Sequence, residues 1–120
     1  MDLITAIKKK DIELIKSIVK SIENIDYKDR SGMTPLMIAV DGDSVSIVQL
    51  LLEAGAKVDE TDKYGQTALM LAAGRGNMHI VKLLLAANAD TKLVSKSRAT
   101  AYDFAFENMR KEVAQLLKNK

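Results

Sequence analysis

The chain has 120 residues, of which 48% are hydrophobic and 28% are charged. This length fits one domain with a buried core, and this hydrophobic content argues against disorder. The 18 basic and 16 acidic side chains nearly balance, so there is no general attraction to nucleic acid or to a membrane surface. Cysteine is absent, which excludes disulfides and thiolate metal sites, and no apolar run approaches the roughly 18 residues of a membrane span.

The N-terminal segment MDLITAIKKKDIELIK alternates apolar and charged residues at helical spacing. It therefore resembles an amphipathic helix and not a signal peptide. Asp11 is predicted to cap a second helix within this segment. The chain as given predicts a cytoplasmic protein, and a periplasmic or secreted location stays open if a signal peptide has been removed.

A register of 33 residues then repeats along the chain. One aligned set consists of threonines that precede a short apolar helix, and another consists of leucines that lie near the end of a second helix. Run backwards, the same register covers the N-terminal segment, so four units fit the chain. The aligned residues are Thr34, Thr67 and Thr100, followed by Leu50, Leu83 and Leu116.

Each unit has local signals for two helices. The aligned threonine is predicted to cap the first helix, and Pro35 stands at a first helical position, where its missing N–H costs nothing. Ser44 and Asn77 are predicted to cap the second helices. Gly55 and Asn88 are residue types that end a helix in the left-handed conformation.

The segments between units, KVDETDKYG and DTKLVSKSR, are rich in turn formers and too polar to bury. They are expected to project as hairpin-like turns. Since a two-helix unit cannot bury its own apolar stripe, neighbouring units must stack to form a continuous core. The sequence therefore predicts an all-α solenoid of stacked helix-turn-helix pairs.

Two segments resemble ankyrin repeats, namely DRSGMTPLMIAVDGDSVSIVQLLLEAGAKVD at 29–59 and DKYGQTALMLAAGRGNMHIVKLLLAANAD at 62–90. Both have the Asp-x-x-Gly-x-Thr-(Pro/Ala)-Leu opening and the Ile-Val-x-Leu-Leu-Leu second helix. The resemblance implies an ankyrin-repeat solenoid that forms a single domain over residues 1–120. Its parts would be an N-terminal cap repeat at 1–28, repeats at 29–61 and 62–94, and a C-terminal cap repeat at 95–120.

The chain also departs from the family pattern. Lys10, Asp43 and Met109 replace the glycine expected between the helices, and a methionine resists a left-handed turn, so a different corner is expected at Met109. The histidine of the family's Thr-Pro-Leu-His motif is absent, so its hydrogen bonds to the turns are expected to be missing. Its positions hold Met37, Met70 and Asp103, and the two methionines are predicted to pack inside the stack.

Little in the sequence indicates catalysis, and we predict that the protein is not an enzyme and has no cofactor or metal. His79 is the single histidine and is expected on an outward face, where an exposed surface role is the simplest interpretation. Asp26 and Asp29 recur one repeat later as Asp59 and Asp62. Turn-stabilising aspartates would recur in this way, whereas catalytic pairs would not.

In ankyrin proteins, partners usually contact the turn tips and the edge of the first helices, which together line a concave groove. Arg30, Lys63 and Lys96 recur one repeat apart and are predicted to form a basic row along the tips. Arginine and tyrosine often dominate protein interfaces, because they combine large contact area with directional polar groups. The candidate protein-binding residues are Arg30, Met33, Asp41, Lys63, Tyr64, Gln66, Arg75 and Lys96.

The leading hypothesis is a non-catalytic module, monomeric when free, that binds an acidic surface of another protein. An alternative in the same class is a bacterial-type inhibitor or self-protection protein that blocks a partner enzyme. Nucleic-acid binding through the basic tips ranks lower, because acidic residues interrupt the surface and only three tyrosines and two phenylalanines can stack on bases.

Overall fold

The computed structural model describes residues 2–120. This part of the chain forms eight helices and no strand, which confirms the predicted all-α class. The described chain is elongated, with extents of 38 × 25 × 22 Å. The helices are α1 (Leu3–Lys8), α2 (Ile12–Val19), α3 (Pro35–Asp41), α4 (Val45–Glu53), α5 (Ala68–Arg75), α6 (Met78–Ala86), α7 (Ala101–Glu107) and α8 (Lys111–Leu117).

The helices stack in two rows. The first helix of each pair contacts the first helix of the next pair, from α1 through α3 and α5 to α7. The second helices follow in the same order, from α2 through α4 and α6 to α8. Each helix pair therefore shields the pair beside it, as the repeat predicted. The unit boundaries at 28/29, 61/62 and 94/95 stay a prediction.

The core lies between the stacked pairs. Leu36 and Leu69, the second residues of α3 and α5, are buried there. Full burial of such a side chain contributes about 1.5–3 kcal/mol. Ala39 and Ala72 are also buried, and their small side chains let neighbouring helices approach closely. Met37 and Met70 pack inside the stack, as predicted.

The helix caps agree with the sequence except at one position. The hydroxyls of Thr34, Thr67 and Thr100 each accept a hydrogen bond from the N–H three residues later, at 3.3, 3.2 and 3.2 Å. The predicted caps at Asp11 and Asn77 are also present. The predicted cap at Ser44 is wrong. Its hydroxyl donates instead to the carbonyl oxygen of the nearby glycine, 3.4 Å away, so the first N–H groups of α4 receive no side-chain cap.

The corner between the two helices is the same in all four repeats, and the different corner expected at Met109 is wrong. Lys10, Asp43, Gly76 and Met109 all have a positive φ, between 55 and 76°. In the last repeat the next N–H, that of Arg110, donates back into α7 at 2.8 Å, as its counterparts do in the other repeats. Packing of the helix pair outweighs the roughly 1–2 kcal/mol that a left-handed side-chain residue costs.

Two of the residues at the histidine positions make hydrogen bonds that the sequence analysis did not predict. In the fourth repeat, Asp103 Oδ2 accepts a hydrogen bond from the N–H of Thr100 at 2.9 Å, and in the third repeat Met70 Sδ accepts one from Thr67 at 3.4 Å. These bonds complete a capping box, so Met70 and Asp103 each anchor the start of their own helix.

Among residues 2–120, no helix combines the length and the apolar character that crossing a bilayer requires.

Candidate functional site

Three hairpin turns project from the stack, at residues 29–33, 62–66 and 95–99. In each of them the first N–H donates to the last carbonyl oxygen, at 3.0, 3.0 and 2.9 Å. Each turn ends directly before the capping threonine of α3, α5 or α7, so the start of the helix fixes where the turn ends. These turns are the projecting loops that the sequence predicted.

Aspartates hold the first two turns in shape. Asp29 Oδ1 accepts hydrogen bonds from the N–H groups two and four residues later, each at 2.9 Å, and Asp62 does the same at the same distances. Desolvation opposes the ionisation of Asp29, but hydrogen bonds from Met33 and Ser31 outweigh it and lower its pKa. The predicted structural role of these aspartates is confirmed.

The other aspartate of each pair ties neighbouring repeats together. Asp26 Oδ1 accepts a hydrogen bond from the N–H of Lys57 at 2.9 Å, and Asp59 Oδ1 accepts one from the N–H of Asp90 at 3.0 Å. Both bonds span 31 residues, close to one repeat. The recurring acids therefore stabilise the loops, and their oxygens face backbone N–H groups.

The three turns are joined edge to edge. The N–H of Lys63 donates to the carbonyl oxygen of Ser31, and the N–H of Lys96 donates to that of Tyr64, each at 3.0 Å. The close approach requires glycine, because a Cβ on Gly32 would lie 2.8 Å from the Lys63 nitrogen. Residues 29–33, 62–66 and 95–99 thus form one continuous surface, which we call the tip ribbon.

Most of the predicted binding residues lie on the tip ribbon. Arg30, Lys63 and Lys96 are exposed on neighbouring turns, and Tyr64 is 55% exposed. The Lys63 ammonium lies 5.1 Å from the centroid of the Tyr64 ring, within the range of a cation–π interaction. Gln66 is half-buried at the base of its turn. The ribbon therefore presents cationic groups and one aromatic ring to solvent.

Met33 does not project like the other tip residues. Its side chain is half-buried against the core, where it lines a groove with Ile7 and Ile38. The groove encloses about 380 Å³, and its rim includes Lys8 and Asp41. Sequence analysis missed the two isoleucines, since their contribution depends on how α1 and α3 lie against the turn. The groove joins the tip ribbon to the edge of the first helices.

Arg75 and Asp41 are brought together by the stack. Arg75 forms ion pairs with Asp41 at 3.4 Å and with Asp43 at 3.3 Å, and all three side chains are about half-exposed. Exposed pairs of this kind contribute at most about 1 kcal/mol. Asn77 Nδ2 also donates to Asp43, at 3.4 Å. Arg75 is therefore held in place at the rim between the second and third repeats.

Among residues 2–120, no group of three or more His, Asp or Glu side chains could hold a metal ion. His79 is exposed at the start of α6, as predicted, and lies outside the tip ribbon and the groove.

A second set of exposed residues was missed by sequence analysis. Phe106 and Met109, in the last repeat, are 65% and 77% exposed. The repeat register contained a signal for Phe106, because a large aromatic residue stands where the central repeats have Val40 and Ala73.

Comparison with known families gives two matches. Residues 47–120, more than half of the chain, match the family described as "Ankyrin repeats (3 copies)". Residues 22–69 match the family described as "Ankyrin repeats (many copies)". No curated protein matches the chain. The two family matches confirm the resemblance found in the sequence.

Proposed function

Because the chain belongs to the ankyrin repeat family, we propose that it binds a partner protein through the tip ribbon and the adjoining groove. Ankyrin repeats are generally protein–protein interaction modules and are typically without catalytic activity.

The observation that supports it most strongly is the hydrogen bonding within and between the turns of the tip ribbon. Its turns are closed internally by Asp29 and Asp62 and joined to one another by backbone hydrogen bonds. Because the backbone is fixed before binding, little conformational entropy remains to be lost when a partner docks. The side chains of Arg30, Tyr64 and Lys96 stay exposed on this fixed backbone.

The charge of the ribbon favours an acidic partner surface. Arg30, Lys63 and Lys96 point to solvent, whereas the carboxylates of Asp29 and Asp62 accept hydrogen bonds from their own turns. The tip ribbon has four basic side chains, Arg98 included, and two acidic ones, so its net charge is positive. Such a row speeds encounter with an acidic surface and selects against a basic one.

The groove supplies an apolar component beside these charges. Ile7, Met33 and Ile38 line it, and a volume of about 380 Å³ can accept one or two apolar side chains of the partner. Methionine adapts its shape to different occupants. Arg75 does not line the groove itself, but its ion pair with Asp41 places the guanidinium beside the groove.

Site-specific photo-crosslinking tests the proposal. A benzophenone amino acid is placed at Tyr64 on the tip ribbon, and the matched control places it at Lys82, which is exposed on α6 and outside the ribbon. Both variants are expressed in the native cells and irradiated. We expect one dominant protein adduct at position 64 and none at 82.

Charge reversal on the flanking turns sharpens the result. Arg30→Glu combined with Lys96→Glu is expected to reduce the yield of the position 64 adduct at least tenfold, while helicity stays unchanged. Equal adduct yields at positions 64 and 82, or a position 64 yield that is unchanged by charge reversal, would contradict the proposed surface. If the captured partner is an enzyme, its turnover with and without the chain distinguishes inhibition from scaffolding.

A further inference from the structure

The last repeat exposes a face that the central repeats bury. Tyr102, Phe106 and Ala114 occupy the register positions through which a central repeat packs against the next one. In the second and third repeats the residues at these positions are at most 1% exposed. Those residues are Leu36, Val40 and Val48, followed by Leu69, Ala73 and Val81.

This face is apolar, although it has no repeat to cover it in the described chain. Tyr102 and Phe106 stack with their ring centroids 5.9 Å apart, and Met109 lies beside them as part of the same pocket. We call the surface formed by the exposed Phe106 and Met109, the half-buried Tyr102 and the 9% exposed Ala114 the terminal face.

Cations surround the terminal face. It forms an open pocket of about 460 Å³, which is also lined by Arg110, Lys111 and Lys118. No acidic side chain lines this pocket. Within residues 2–120 these three cations form no ion pair, and Arg110 is held in place because its Nε donates to the Gly74 carbonyl oxygen at 3.1 Å.

We propose that the terminal face is a second protein-binding site, which takes an acidic amphipathic segment of a partner protein. Apolar side chains of that segment pack on the stacked rings of Tyr102 and Phe106. Its carboxylates pair with Arg110, Lys111 and Lys118. This site lies at the end of the stack, uses none of the tip ribbon residues, and does not depend on the function proposed for them.

The charge of the pocket argues against a second copy of the chain as its occupant. A symmetric pair of chains would place the same patch against itself. Arg110, Lys111 and Lys118 would then face their own counterparts, and like charges at an interface are unfavourable. An acidic segment meets the same apolar rings and neutralises the cations, so it fits this surface better.

Peptide selection tests the proposal and does not require the partner protein itself. A displayed library of random 16-residue peptides is selected on the full chain, and the enriched peptides are synthesised and titrated by fluorescence anisotropy. We expect enriched peptides that combine aromatic or aliphatic residues with Asp and Glu. Their affinity should fall at least tenfold for Phe106→Gln and for the double variant Lys111→Glu, Lys118→Glu.

Two controls make the outcome decisive. The variant Arg30→Ala, Tyr64→Ala alters only the tip ribbon and should bind these peptides unchanged. Circular dichroism should show the same helicity for every variant, since the substituted side chains are exposed. Failure to enrich acidic peptides, or equal binding to Phe106→Gln, would overturn the proposal. A dimer in sedimentation that Phe106→Gln dissociates would also overturn it, because the face would then bind a second copy.

Discussion

The third and fourth repeats present the same stacking position in different surroundings. Ala73 in the third repeat is fully buried under α7, whereas Phe106, one repeat later, is 65% exposed. Leu69 and Tyr102 show the same contrast, since the leucine is buried and the tyrosine is only half-buried. In a stacked array, the neighbouring repeat determines whether a register position is buried, so the same position is core in one repeat and exposed surface in the next.

Exchanging the side chains of positions 73 and 106 should give the largest difference in the free energy of unfolding. Ala73→Phe forces a ring between α5 and α7, where no space exists, and should lower the free energy of unfolding by about 3 kcal/mol. Phe106→Ala removes an exposed ring and should change it by less than about 0.5 kcal/mol. Urea denaturation followed by circular dichroism measures both. Similar losses for the two variants would show that the fourth repeat is covered like the third.

The corners of the same two repeats provide a smaller contrast. Gly76 and Met109 both have a positive φ, at 76 and 60°. Gly76→Ala should destabilise the fold by about 1–2 kcal/mol, because a side chain is unfavourable in this conformation and its Cβ would press on Arg110. Met109→Gly should stabilise it by up to about 1 kcal/mol for the opposite reason. Thermal melting tests the signs, and destabilisation by Met109→Gly would contradict the left-handed corner.

The hairpin turns should differ in their response to acid. Asp29 has a lowered pKa, so its stabilising contribution is complete above the ordinary value of 3.8 and is lost as the pH falls through the folded-state pKa. Ser95 stands at the same position in the fourth repeat and has no charge to lose. Asp29→Ser should therefore reduce stability by about 1 kcal/mol at neutral pH, and this difference should shrink as the pH falls from 3.8 through the lower folded-state pKa. A difference that persists in acid would exclude the ionised carboxylate as its cause.

Sequence patterns predicted the parts of the fold that depend on local chemistry. The 33-residue period located the helix pairs, and the capping threonines marked where α3, α5 and α7 begin. The same locality explains the failures. Serine is a residue type that often caps helices, but the Ser44 hydroxyl donates to the Gly42 carbonyl oxygen and does not cap α4. A methionine disfavours the left-handed conformation of the corner, but packing of α7 against α8 holds Met109 in it.

The candidate surfaces could be predicted only in part, because they form between repeats. The recurrence of Arg30, Lys63 and Lys96 indicated a row of cations on neighbouring turns. It did not indicate that Met33 would turn inward toward Ile7, nor that Arg75 would be engaged by acids of the preceding repeat. Those contacts depend on how one repeat lies against the next. The terminal face depends on the same relation, since its exposure follows from the lack of a covering repeat in the described chain.

Methionine oxidation tests most directly the claim that stacking buries one face of each repeat and leaves the terminal face exposed. Met37 and Met70 are each 1% exposed, whereas Met109 is 77% exposed. Brief treatment of the native chain with hydrogen peroxide, followed by peptide mass spectrometry, should oxidise Met109 many times faster than the two buried methionines. Oxidation of Met37 or Met70 at the rate of Met109 would contradict the stacked arrangement from which both binding surfaces are inferred.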